Sequence, residues 1–69
     1  MAATKDYSIT IDGKRFVFLR ETRGARTVGW EVAYDDGQLN TCHKEAPEGI
    51  FPTLREARDA LRLHRMVIK

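Results

Sequence analysis

The chain has 69 residues, 42% of them apolar and 32% charged, with a net charge of +2. A chain this short buries only about 60% of the surface it exposes when unfolded, which leaves room for one compact core and none for a roomy catalytic cleft. The balance of apolar to charged residues is that of a folded soluble protein rather than a disordered tail. Apolar runs such as Phe16–Leu19 fall far short of a membrane span, and Met1–Asp6 lacks the apolar stretch of a signal peptide. The lone cysteine, Cys42, has no partner for an internal disulfide, which fits a reducing compartment and a cytoplasmic location.

In chain order, Tyr7, Ile9 and Ile11 alternate with Ser8, Thr10 and Asp12, the period of two that marks a half-buried strand. That strand is expected over about 6–12. Asp12-Gly13 then suits a tight hairpin, because both residues tolerate positive φ, and it leads into a second strand over about 14–20. The segment Arg20–Thr27 has no apolar period and reads as a basic loop. Trp30, Val32 and Tyr34 restore the alternation in a third strand over about 28–34. After the turn Asp35-Asp36-Gly37, a short fourth strand is expected over 38–43. Glu45–Pro52 holds two prolines and a glycine and reads as a connecting loop.

Thr53-Leu54-Arg55-Glu56 has the spacing of a capping box, in which the threonine hydroxyl and the glutamate each satisfy an otherwise unpaired backbone donor. A helix over about 53–65 follows. Its apolar stripe comprises Leu54, Ala57, Leu61, His64 and Ile68, bordered by Ala60 and Val67. Arg55, Arg58, Arg62, Arg65 and Lys69 fall within an arc of roughly 80° beside it, as a basic ridge. Leu63 and Met66 fit neither: either the helix frays near Leu63, or those two side chains meet a partner. The fold class is therefore α+β, a single domain over 1–69 in which a three- to four-stranded antiparallel sheet has one C-terminal helix packed on one face.

Catalytic chemistry is missing. Cys42 and His43 are neighbours that point to opposite faces of a strand, poor geometry for a thiolate and its base; the plainer reading is a half-buried cysteine beside a surface histidine. A structural zinc site needs four Cys or His ligands and this chain has three such residues. Asp35-Asp36-Gly37 is a β-turn without the further oxygen ligands calcium requires. His64 reads as a core-edge histidine. Trp30, Tyr34 and Phe16 or Phe18 can be drawn as a base-stacking platform, but a helix needs an apolar counterpart and these aromatics supply it. No catalytic residue, metal ligand, cofactor or small-molecule substrate is expected, and no membrane association.

The run Gly29-Trp30-Glu31-Val32-Ala33-Tyr34-Asp35-Asp36-Gly37, followed by Phe51-Pro52-Thr53 and Glu56-Ala57, resembles the arm-type DNA-binding domain of phage integrases over roughly residues 14–63. The resemblance implies a three-stranded antiparallel sheet with a C-terminal helix, and a sheet that enters the DNA major groove with Arg15, Arg20, Arg26 and Lys44 as the positions to watch. In this sequence the strand after Asp36-Gly37 carries no basic residue.

Charge is segregated along the chain. Residues 14–26 carry Lys14, Arg15, Arg20, Arg23 and Arg26 against Glu21; residues 31–48 carry five acids against Lys44; residues 55–69 are basic again. Such segregation steers association and fixes orientation. Two functions are open. The first is a non-enzymatic protein-binding module, of the kind of a phage- or plasmid-encoded inhibitor or accessory factor, whose partner is another protein or a second copy of the chain. The alternative is a DNA- or RNA-binding module that contacts phosphates through the arginines. The candidate binding residues are Arg15, Arg20, Arg23, Arg26, Arg55, Arg58, Arg62 and Arg65, with Leu63 and Met66. The acidic centre of the chain opposes a nucleic acid approaching the sheet and favours the first reading.

Overall fold

The computed structural model describes residues 7–67. Asp6, the expected start of the first strand, and Ile68 and Lys69, assigned to the stripe and the ridge, lie outside the described residues, as does Met1–Lys5. The elements are β1 (Tyr7–Ile11), β2 (Lys14–Arg23), β3 (Arg26–Asp35), β4 (Leu39–Asn40), β5 (Ile50–Phe51) and α1 (Leu54–Val67). The protein is α+β: an antiparallel sheet in the order β1-β2-β3-β4, with β5 also on β3, and one C-terminal helix. No helix among the described residues is long and apolar enough to cross a membrane.

Turn chemistry sets the register of the two hairpins. Asp12 and Gly13 take φ of 53° and 77°, the type I′ pattern whose twist matches that of the flanking strands. Ile11 therefore pairs with Lys14, and the ladder runs back to Tyr7 opposite Phe18. At the second hairpin Gly24 takes φ of 64° and Ala25 does not turn positive, a type II′ arrangement that places Arg23 opposite Arg26. The register slips between Glu21 and Thr22, which face Gly29 and Thr27, so Val28 is the extra residue of a bulge. The segment assigned from sequence to a basic loop over Arg20–Thr27 is thus mostly strand. It lacks an apolar period because it projects as a two-stranded ribbon with little to bury.

Two further expectations are corrected. The fourth strand shrinks from 38–43 to Leu39–Asn40, because side chains there capture the backbone. Asn40 Oδ1 accepts from Cys42 N–H at 2.9 Å, His43 Nδ1 accepts from Glu45 N–H at 3.1 Å, and His43 O accepts from Ala46 N–H at 3.0 Å. With the chain out of register, Cys42 is exposed and the His43 ring is the half-buried one, 4.5 Å from Tyr34. The loop over Glu45–Pro52 contains β5, which pairs Ile50 with Glu31 and Phe51 with Trp30 between Gly49 and Pro52.

Strand parity gives the sheet two faces. Phe16, Phe18, Trp30 and Val32 join Ala46, Ala57 and Leu61 in the main core, with Ile9, Ile11, Tyr34, Phe51 and Leu54 packed against it. The aromatics are core, as their alternation implies. Val17, Leu19 and Ala33 form a second buried cluster on the face turned away from α1. The helix opens with the threonine half of the expected box: Thr53 Oγ1 accepts from Glu56 N–H at 3.1 Å, while the Glu56 carboxylate accepts from the Thr53 hydroxyl, at 3.1 Å, in place of a backbone donor. It runs to Val67 rather than fraying near Leu63, with Ala57 and Leu61 buried and Leu54, Ala60 and His64 half-buried.

At Gly29 the strands β3 and β5 approach so closely that a Cβ would meet the Ile50 side chain and the Phe51 carbonyl oxygen, the latter at 2.9 Å. Backbone cannot yield there without loss of the β5 ladder. Gly29→Ala is expected to destabilise the fold by about 1–3 kcal/mol through overpacking, read as a lower urea midpoint, whereas Ala25→Ser at the exposed hairpin tip leaves the midpoint within about 0.5 kcal/mol of the parent.

Candidate functional site

The ten residues singled out in the sequence separate into three groups. The first group is engaged with other side chains of the chain. Arg65, assigned to the solvent-facing ridge, leaves only 14% of its side chain exposed: it pairs with the carboxylate of Glu45, lies 3.6 Å from Asp12 Oδ2, and stands over the Phe16 ring at 5.6 Å. The ridge assignment fails for this residue because its direction on the helix borders the apolar stripe, where a long side chain can bury its stem and find acids at the sheet end. Arg20 lies on β2 over the Trp30 ring at 5.1 Å, a cation–π contact on the core side of the sheet. Arg15 is more exposed and pairs with Asp35 at 3.3 Å.

The second group is a set of exposed arginines without an ion pair to a described residue. Arg23 and Arg26 face each other across the ribbon tip, where like charges in direct opposition are unfavourable. Arg55, Arg58 and Arg62 lie along one flank of α1 and surround a shallow depression with Asp59. Phe51 pairs with Trp30 and α1 begins three residues later, so the first turns of the helix and the ribbon tip lie toward the same end of the molecule. Asp12, Asp35 and Asp36 cluster at the opposite end of the strands.

The third group is apolar. Leu63 and Met66 are 63% and 67% exposed, and Val67, expected at the border of the stripe, is 76% exposed. Leu63 and Val67 form one wall of a groove of about 340 Å³ with Ala60 and His64; Pro47, Glu48 and Phe51 form the other. Both walls are anchored, since His64 Nε2 lies 2.7 Å from the Lys44 carbonyl and Arg65 holds Glu45. Pro47, Phe51, Ala60 and Val67 did not stand out in the sequence as a site. The one available signal was the conflict of Leu63 and Met66 with the stripe.

The face turned away from α1 carries both signs of charge at the ribbon end, with Glu21 and Arg23 successive on that face of β2. Glu31 and Glu21 lie diagonally across β2 and β3, and the Glu31 carboxyl is pushed above its ordinary range by burial, then by a hydrogen bond and repulsion from Glu21. Glu45 moves the other way: burial opposes the change, and the Arg65 guanidinium overcomes it and holds the carboxyl below the usual range. Among the described residues no three His, Cys, Asp or Glu side chains converge as a metal site. Comparison of the chain with protein-family profiles, with curated proteins and with solved structures returns no match.

The two classes of arginine are separable by stability. Arg65→Met keeps the apolar stem but strips the carboxylates of their partner, and it is expected to cost about 1–3 kcal/mol. Arg55→Met on the solvent flank is expected to stay within about 0.5 kcal/mol of the parent. Urea denaturation of both variants checks the difference.

Proposed function

We propose that the chain is a small non-enzymatic protein-binding module, of the inhibitor or accessory-factor kind, that docks a partner protein through the groove between α1 and Pro47–Phe51. The observation that supports it is the contiguity of Leu63 and Val67 with the groove on the outside of the helix. Single exposed apolar residues are ordinary, but a cluster beside a preformed apolar groove is the usual mark of a docking site. The fitting partner is an apolar segment of another protein, an amphipathic helix being the common occupant of such grooves. Glu21 and Glu31 on the far sheet face offset the arginines Arg15 and Arg23 there, which weakens the docking of that face on DNA that the resemblance to the integrase arm domain implies.

The test is a photocrosslinking residue placed at Leu63, with a second placed at Gln38 as a control, in cells that express the protein. The reading expects a defined protein adduct from the first position only, lost when Val67→Glu is added in a variant of unchanged melting temperature. An adduct of twice the chain mass identifies the partner as a second copy. No adduct at Leu63, with a monomer in sedimentation, overturns the reading.

A second reading is favoured by one observation, the opposed Arg23 and Arg26 at the ribbon tip. A two-stranded ribbon fits the major groove of DNA, and paired arginines suit phosphate oxygens. On this reading the affinity for a labelled duplex falls steeply with salt, and Arg23→Ala with Arg26→Ala flattens the slope of log K against log salt by about 2. A duplex that does not shift at about 50 mM salt, where phosphate contacts are strongest, removes it.

A further inference from the structure

The two sides of the sheet are finished differently. On the β3 side, β5 pairs with Trp30 and Glu31 and β4 with Tyr34 and Asp35. On the β1 side, no strand among the described residues pairs with the outer edge. The two-residue hairpin makes Ile11 and Lys14 a hydrogen-bonded pair, and the ladder alternates from there. The main-chain N–H and C=O groups of Ile9 and Tyr7 thus point to β2, while those of Ser8 and Thr10 point outward. Natural sheets guard such an edge with lysine, proline, an inward charge or a bulge. The stretch Tyr7-Ser8-Ile9-Thr10-Ile11 has no charge or proline, and its register with β2 is regular.

Beside this edge lies a cleft of about 220 Å³, lined by Tyr7, Ser8 and Ile9 of β1, Phe18 of β2, and Leu54 and Arg58 of α1. It exists because α1 lies chiefly over β3 and β5, leaving Tyr7 48% exposed. Arg58 also belongs to the flank with Arg55 and Arg62, where Asp59 is the one acid. An open backbone edge, an apolar cleft on one side of it and a surplus of arginine at the rim therefore coincide.

We propose that the edge of β1 binds an extended acidic peptide segment of a partner protein by strand addition. The added strand hydrogen-bonds to Ser8 and Thr10. On its helix-facing side one apolar residue fills the space between Ile9 and Leu54, and an acidic residue two places along meets Arg58. Main-chain pairing supplies the general affinity, and the alternate side chains supply the choice of sequence. This surface is separate from the groove at Leu63 and does not depend on it.

The probe is a nine-residue peptide with threonine on one strand face and valine and glutamate on the other, beside a copy in which lysine replaces glutamate. The expected result is amide shifts confined to β1, the cleft and Arg58. The glutamate peptide should bind about fivefold tighter than the lysine peptide, as one exposed arginine–carboxylate pair allows. Arg58→Glu reverses that preference. Thr10→Pro, tolerated at an edge because the lost N–H faces outward, abolishes binding with an unchanged circular dichroism spectrum. A peptide N-methylated on its pairing edge gives the same loss without altering the protein, and Leu63→Glu leaves binding intact. Equal binding of the two peptides, shifts at Pro47–Phe51 and Leu63–Val67 with none in β1, insensitivity to N-methylation, or no binding at millimolar peptide each overturn the proposal.

Discussion

Everything in this fold leans on the contact between the Ala57–Leu61 turn of α1 and the aromatic side of the β2–β3 pair. Phe16 and Phe18 face Tyr34 and Val32 across the strands, and Trp30 closes the row. Ala57, fully buried, lets the helix approach until Leu61 is buried in turn. An amphipathic helix of 14 residues is marginal by itself in water and takes most of its stability from such a face. The sheet in turn has no other large apolar layer on that side. Burial of a Phe or Leu side chain is worth roughly 1.5–3 kcal/mol, so a few residues carry a large share of the modest net stability available to a domain this small.

The elements that were legible in the sequence are those whose signals are local. Asp12-Gly13 gives a turn type, Thr53 and Glu56 give a helix start, and the alternation of Tyr7, Ile9 and Ile11 gives a strand; each appears in the structure. What the sequence obscured depends on partners far along the chain. β5 is two residues long and exists because Glu31 and Trp30 present an unfilled edge to it, which no window around Ile50 and Phe51 can reveal. The extension of the ribbon through Thr22, Arg23 and Arg26 is hidden for another reason: polar residues on both faces erase the alternation that marks a strand.

The candidate site shows the same division. Helical arithmetic placed Arg55, Arg58, Arg62 and Arg65 in one arc, and angle alone does not distinguish them. Their fates diverge because Glu45 and Asp12 stand near the last turn and only Asp59 stands among the others. Leu63 and Met66 were legible as misfits, and the helix, by running on to Val67, resolves the choice between fraying and exposure in favour of exposure.

His64 and Arg65, adjacent in the last turn, grip Lys44 and Glu45, also adjacent, each pair 20 residues apart. This double fastening turns the chain between them into a closed circuit whose circumference includes β5 and the helix as far as Arg65. Within such a circuit the span from Ala46 to Pro52 has little room to sag, since Ala46 is pinned into the core and Phe51 is stitched to Trp30. The opening it borders is then a shape held by the fold itself, so that the docking proposed for it would need little ordering on this side of the encounter.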